Sequence, residues 1–307
     1  MTTTSLGALT TSRLAYGCMT LGGLDRPAAE AAVDAALDGG VTLFDHADIY
    51  SGGRSETLFG EILADRPGLR DRVVLQTKCG IRFADAHGPK RYNLGYDHIV
   101  ASVEGSLRRL GTDRVEVLLL HRPDPLAEPT EIARAFDSLA AAGKVGAFGV
   151  SNFSVAQLDR LAAAVDQPLV ANQIQLSLGH IAPVEAGVEV NTARSVSGAD
   201  DLLDGCAARG ARLQAWAPTA GGSFSRGDVA PEHADVAEAV RAVAGDRGAT
   251  PLQVVLAFVL RLPHSVQPVF GSTNPGRIAE ACAATGVSLP REAWYRLYEA
   301  ARGKRVP

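Results

Sequence analysis

Cysteine is scarce: Cys18, Cys79, Cys206 and Cys282 stand far apart and form no C-x-x-C pair. That spacing excludes a disulfide frame and a thiolate zinc site, and it reads as four reduced thiols in a cytoplasmic protein. Long hydrophobic runs are missing too. The longest apolar stretch, VVLAFVL at 254–260, falls far short of the ~20 residues that cross a bilayer. The opening MTTTSLGALTTS lacks the basic and apolar regions of a secretory leader. Both signs of charge are dispersed around a net charge of −4 with no basic block, so there is no footprint for nucleic acid or an anionic membrane. Two site motifs are also absent: no G-x-G-x-x-G follows the first strand-like run, and H-x-H occurs nowhere.

What remains is an ordinary globular composition, 46% hydrophobic and 21% charged over 307 residues, suited to small-molecule chemistry. Short apolar runs alternate with alanine-rich helical segments along the whole chain, the rhythm of a parallel sheet covered by helices. Eight runs qualify as strands: 13–17, 41–45, 73–78, 115–121, 145–150, 169–174, 212–217 and 266–270. Glycines close helical stretches such as AAEAAVDAALDGG and DHIVASVEGSLRRLG, where a left-handed C-cap is needed. Eight βα units in this length predict a (β/α)8 TIM barrel, with residues 1–307 forming one domain. Three connections, 81–95, 177–198 and 217–232, exceed the usual ~2–6 residues, and each follows a strand. They are expected to wall a cleft at the C-terminal face of the barrel.

The run FDHADIY at 44–50 crowds Asp45, His46, Asp48 and Tyr50 just past the second strand. Asp45, Lys78 and His121 each close a strand, the second, third and fourth, and Tyr50 lies one short loop beyond Asp45. A barrel brings such positions together at its C-terminal rim. Singly, each has a plain alternative, Asp as a helix N-cap and Lys or His as a solvated rim residue. Four in order at three consecutive strand ends favour catalysis. A metal site at Asp45, His46 and Asp48 is the rival reading, and it lacks further ligands.

The blocks GVTLFDHADIYSGGRSETLFGEIL (40–63), LQTKCG (75–80), LGTDRVEVLLLHRPDP (110–125), GKVGAFGVSNF (143–153), NQIQLSL (172–178) and GSTNPGRI (271–278) resemble the aldo-keto reductases. HRPDP and the short C-terminal end look like the bacterial branch of ydhF-type oxidoreductases. The resemblance implies a catalytic tetrad of Asp45, Tyr50, Lys78 and His121 and the reduction of a carbonyl compound by NADP(H). Hydride arriving at a carbonyl leaves negative charge on oxygen, which a proton or fixed donors must meet. Tyr50 would give the proton, its acidity increased by the ammonium of Lys78, and Asp45 would keep Lys78 charged. His121 would orient the carbonyl.

By the same resemblance Ser151, Asn152 and Gln173 hold the nicotinamide carboxamide and Trp216 stacks on its ring. Gly271, Ser272, Thr273, Asn274, Arg277 and Glu280 belong to the adenosine end. GSTNPGRI offers free backbone N–H groups at a helix start, which suits a phosphate. The family often has lysine where Gly271 stands, so Arg277 alone would read the 2′-phosphate. Met19, Phe83, Tyr92 and Phe224 are candidates for an apolar substrate pocket. Two other readings are a cofactor-binding regulatory subunit of the same fold and a metal-dependent barrel hydrolase.

Overall fold

The computed structural model describes residues 2–86, 88–192, 201–225 and 229–307, and parts of all three long connections lie outside them. Eight parallel strands close into a barrel. They are β1 (Ala15–Gly17), β2 (Leu43–Asp45), β3 (Val74–Cys79) and β4 (Val115–Leu120). The second half holds β5 (Val145–Ser151), β6 (Leu169–Gln175), β7 (Arg212–Trp216) and β8 (Gln267–Phe270). Every strand pairs with its sequence neighbour, and β8 pairs with β1 to complete the ring. The eight predicted strands are these eight.

Apolar side chains fill both sides of the ring. Leu43, Val117, Leu119, Ala171 and Val269 form a small buried cluster with Leu6, separate from the large core shared with the helices. Leu6 comes from an antiparallel hairpin, Thr3–Leu6 with Leu9–Ser12, that the sequence reading did not anticipate. The hairpin turns through Gly7 at φ +56°, a conformation that favours glycine. A second hairpin, Ile81–Arg82 with Arg91–Tyr92, stands in the connection after β3.

Register places a layer of amides inside the barrel. Asp45 pairs with Gln76, and Gln173, Gln214 and Gln267 face one another across β6, β7 and β8. All five are buried.

Outside, the helix Arg54–Ala64 presses Gly60 against the backbone of Arg109 and Leu110 at the end of the helix Tyr96–Leu110. A Cβ at position 60 would stand 2.3 Å from the Arg109 carbonyl oxygen. Gly60→Ala is therefore expected to destabilise the protein by about 1–3 kcal/mol, the usual cost of overpacking. Urea unfolding measures it, and a midpoint equal to wild type would show that the two helices can part without cost. Among the described residues no single helix is long and apolar enough to cross a membrane. No group of three or more His, Cys, Asp or Glu is placed among them to hold a metal ion.

Candidate active site

The ends of β2 and β3 bring Asp45 and Lys78 together deep in the mouth of the barrel, with both side chains buried. Lys78 Nζ donates to Asp45 Oδ2 at 2.7 Å, to the His46 carbonyl at 2.9 Å and to Tyr50 Oη at 3.0 Å. An ammonium has three protons, and all three are used. Tyr50 is set by a tight turn in which Ser51, Gly52 and Gly53 all take positive φ, at 51°, 65° and 92°. Its ring meets that of His121 edge-on, with centroids 6.1 Å apart. The four predicted residues thus converge.

Burial pushes the Lys78 ammonium toward losing its proton, but the charge of Asp45 and the oxygen of Tyr50 outweigh it and leave its pKa raised. For Tyr50 the balance differs from expectation. Burial raises the phenol by more than Lys78 lowers it, so the pKa lies above the ordinary tyrosine value. His121 is pushed down to about 3 by burial and by the nearby charges of Lys78, Arg122 and Lys90. Its imidazole is therefore neutral at physiological pH, and its Nδ1 has no hydrogen-bond partner.

His46 and Asp48, which share the FDHADIY run, turn away. His46 packs edge-on against Phe59 at 4.8 Å, and both of its ring nitrogens are unpartnered. Asp48 is pushed up to about 7 by burial and by the charge of Glu56. Glu56 itself is fully buried, accepting from Thr77 at 2.6 Å and from Arg109 at 2.8 Å.

Beside the tetrad, Gln173 Nε2 donates to Asp45 Oδ1 at 3.1 Å and to Gln214 Oε1 at 3.0 Å. Both of its amide protons are spent, so toward a ligand it can offer only its oxygen. Asn152 bridges the rim: Nδ2 donates to the His121 carbonyl at 3.2 Å and to Ser151 Oγ at 2.8 Å, while Oδ1 accepts from Trp216 Nε1 at 3.0 Å. Its φ of +63° aims the amide across the mouth. Ser151 Oγ donates in turn to the Gln173 carbonyl at 2.8 Å.

Two hollows meet at Thr20, Thr219, Gly221 and Gly271. One, of about 570 Å³, holds Asp45, Tyr50, His121, Gln173 and Trp216 on its walls. The other, of about 600 Å³, runs past Ser272, Thr273, Arg277 and Glu280. Gly271 lies at the neck, where a Cβ would stand 3.1 Å from the Gly17 carbonyl oxygen, tighter than most side chains tolerate. Asn274 caps the helix Pro275–Ala283 by accepting from the Arg277 N–H at 3.0 Å. Glu280 accepts a hydrogen bond from Thr250, and the Arg277 side chain is exposed.

Of the proposed substrate-pocket residues, Met19 and Phe83 line the first hollow and are 60% and 54% exposed. Phe224 does not belong there: it is 2% exposed and packs edge-on against His233, so it is core. Tyr92 stands on the hairpin after β3, outside the lining of either hollow.

Sequence reading missed three participants, Gln76, Gln214 and Gln267. Gln76 Nε2 donates to Asp45 Oδ1 at 2.5 Å and to Gln214 Oε1 at 2.9 Å. Gln214 passes the chain to Gln267 at 2.9 Å, and Gln267 donates to the Ser12 carbonyl at 2.7 Å. The sequence carried only a partial signal: each is an amide beside apolar residues in a strand, where a buried polar group needs a partner, but nothing local names that partner.

A barrel whose strand ends gather an ion pair, a phenol and a neutral imidazole over a groove of two joined hollows defines a class, the barrel oxidoreductases. The chain belongs to the aldo/keto reductase family, whose model matches residues 13–302. It is 38% identical over 288 residues to an uncharacterized oxidoreductase, YcsN, of Bacillus subtilis, covering 90% of this chain and 88% of that one. It is 36% identical over 307 aligned positions to a 6-dehydroglucose reductase of Agrobacterium fabrum, covering 96% of each. The oxidoreductase YdhF of Escherichia coli is 37% identical over 281 residues, with 90% and 88% covered. In fold it is similar to a glycerol dehydrogenase of Gluconobacter oxydans, with a TM-score of 0.81 at 24% identity over 97% of this chain and 94% of that one.

Proposed function

We propose that this oxidoreductase reduces an aldehyde or ketone to the alcohol with NADPH, reversibly, with Tyr50 as the proton donor. The observation that carries the reading is the contact chain from Asp45 through Lys78 to Tyr50, at 2.7 and 3.0 Å in a buried setting. Tyr50 is protonated at neutral pH because burial holds its pKa up, as a donor must be. Lys78 points its ammonium at the same oxygen, so the phenolate left after proton transfer meets a positive charge already in place. Asp45 keeps that ammonium charged, and the amides of Gln76 and Gln173 hold Asp45. Neutral His121 offers a single N–H to the carbonyl oxygen, where negative charge gathers. An assembled tetrad of this kind favours catalysis over a purely regulatory role.

When bound, the reduced nicotinamide supplies the hydride. The groove suits such a dinucleotide: two hollows joined at Gly271 give it length, and the free oxygen of Gln173 suits the NH2 of a carboxamide, beside Ser151. Trp216 would stack on the ring, with Asn152 steadying the indole. At the far end, Ser272, Thr273, Asn274 and the helix start would hold the adenosine phosphate, beside Glu280. The four cysteines are buried and lie far apart in sequence, in keeping with a cytoplasmic setting.

Among the described residues Arg277 is the cation that lines the far hollow, and its guanidinium has no ion-pair partner among them. A charge-assisted bond to phosphate contributes about 1.5–3 kcal/mol, so Arg277→Ala should weaken NADPH about ten- to a hundredfold and leave NADH nearly unchanged. Titrating the quenching of tryptophan fluorescence by both cofactors follows this. Equal weakening of both, or of neither, would mean that Arg277 does not read the 2′-phosphate.

A further inference from the structure

Arg122 follows His121 directly and lines the same hollow as Tyr50 and Trp216. Its guanidinium lies 5.9 Å from the centre of the Trp216 ring, and it makes no hydrogen bond or ion pair among the described residues. The nearest acidic group in its own loop, Asp124, is engaged elsewhere, accepting from the backbone N–H groups of Leu94 at 3.2 Å and Leu126 at 2.9 Å. The other charged residue on the hollow wall is Asp45, which Lys78 neutralises. Among the described residues the wall of the reacting end therefore carries one charge without a counter-charge, that of Arg122, and it is positive. Lys90 adds to the same field where it reaches His121. A guanidinium presents a planar fork of donors matched to a carboxylate or phosphate.

We infer that Arg122 selects carbonyl substrates that carry an anionic group, binding that group while the carbonyl lies against Tyr50 and His121. The inference rests on the carbonyl-reductase reading of the site. It differs from the phosphate recognition assigned to Arg277, which belongs to the far hollow. An anion facing Arg122 could come from the substrate or from the cofactor's phosphates, and the two sources separate by experiment.

The test uses two probe aldehydes of nearly equal shape, 4-carboxybenzaldehyde and the neutral 4-formylbenzamide, with wild type, Arg122→Leu and Arg122→Lys. Wild type should prefer the carboxylate in kcat/KM, and Arg122→Leu should cut that preference about ten- to a hundredfold, chiefly through KM. Arg122→Lys should restore part of it, because a point charge remains without the fork. NADPH affinity is measured in parallel. A loss of NADPH affinity with the probe ratio unchanged would assign Arg122 to the cofactor and overturn the inference. Equal turnover of both probes by wild type, unaltered in Arg122→Leu, would also overturn it while leaving carbonyl reduction standing. Reduction of neither probe, nor of any other aldehyde or ketone, would instead defeat the underlying function.

Discussion

Tyr50→Phe is expected to lower kcat for carbonyl reduction by about 10²–10⁴-fold, the range a positioned general acid contributes. NADPH affinity should stay within a few-fold of wild type. The two parts of this expectation come from different contacts. The hydroxyl of Tyr50 is tied to Lys78 at 3.0 Å, whereas Gln173, Ser151 and Trp216, on the same hollow wall, are the groups proposed to meet the cofactor. Phenylalanine keeps the ring and its edge-on contact with His121, so the wall of the hollow survives. The lost interaction is one made as charge develops on the substrate oxygen, which lowers kcat and kcat/KM together. Steady-state kinetics with a saturating aldehyde, alongside NADPH titration, separates the two. Turnover within a few-fold of wild type would remove Tyr50 from the role of acid.

The architecture was readable because apolar runs and glycine-stopped helices repeat along the chain, and the closed ring of β1 to β8 follows from that repetition. The tetrad was readable for a related reason. Asp45, Lys78 and His121 close or follow consecutive strands, and parallel register carries strand ends to one rim. What escaped was set by contacts distant in sequence. The hairpin that carries Leu6 into the barrel floor is a threonine-rich opening with only Gly7 to mark its turn. The amide chain joins Gln76 to Gln214, 138 positions apart, so no local pattern reports it. Phe224 looked like a pocket aromatic because it sits in a long post-strand connection, but an aromatic ring in such a loop can turn inward as easily as outward. Direction of the Tyr50 shift was missed too, since sequence names the neighbouring ammonium but says nothing of how deeply the phenol is buried.

The amide chain bears on how the ion pair works. Gln76 and Gln173 both donate to Asp45 Oδ1, at 2.5 and 3.1 Å, leaving Oδ2 for Lys78. Three donors thus fix one carboxylate far from water, so that none of its hydrogen-bonding demand is left unmet. The barrel interior holds Asp45 in place from below, and its charge in turn keeps the Lys78 ammonium above it protonated.

Asp45→Asn should break this arrangement in a way that depends on pH. In wild type the folded pKa of Lys78 lies above its ordinary value near ~10.4, because Asp45 overrides burial. A group raised on folding contributes stability that is fully present below the unfolded pKa and is lost as pH rises through the folded one. With asparagine at 45 the opposing charge is gone, and burial of Lys78 drives its pKa down instead. The unfolded chain then binds more protons than the folded one between the depressed value and ~10.4, so stability rises with pH in that window. At pH 7 the variant leaves a buried ammonium without its counter-charge, a loss of about 3–5 kcal/mol. Urea unfolding at pH 7 and pH 9 should show that deficit shrinking at the higher pH. The alkaline limb of kcat/KM should move to lower pH in parallel, since Tyr50 loses its cationic neighbour when Lys78 deprotonates. An equal deficit at both pH values, with the activity profile unmoved, would mean that Asp45 does not hold the charge on Lys78.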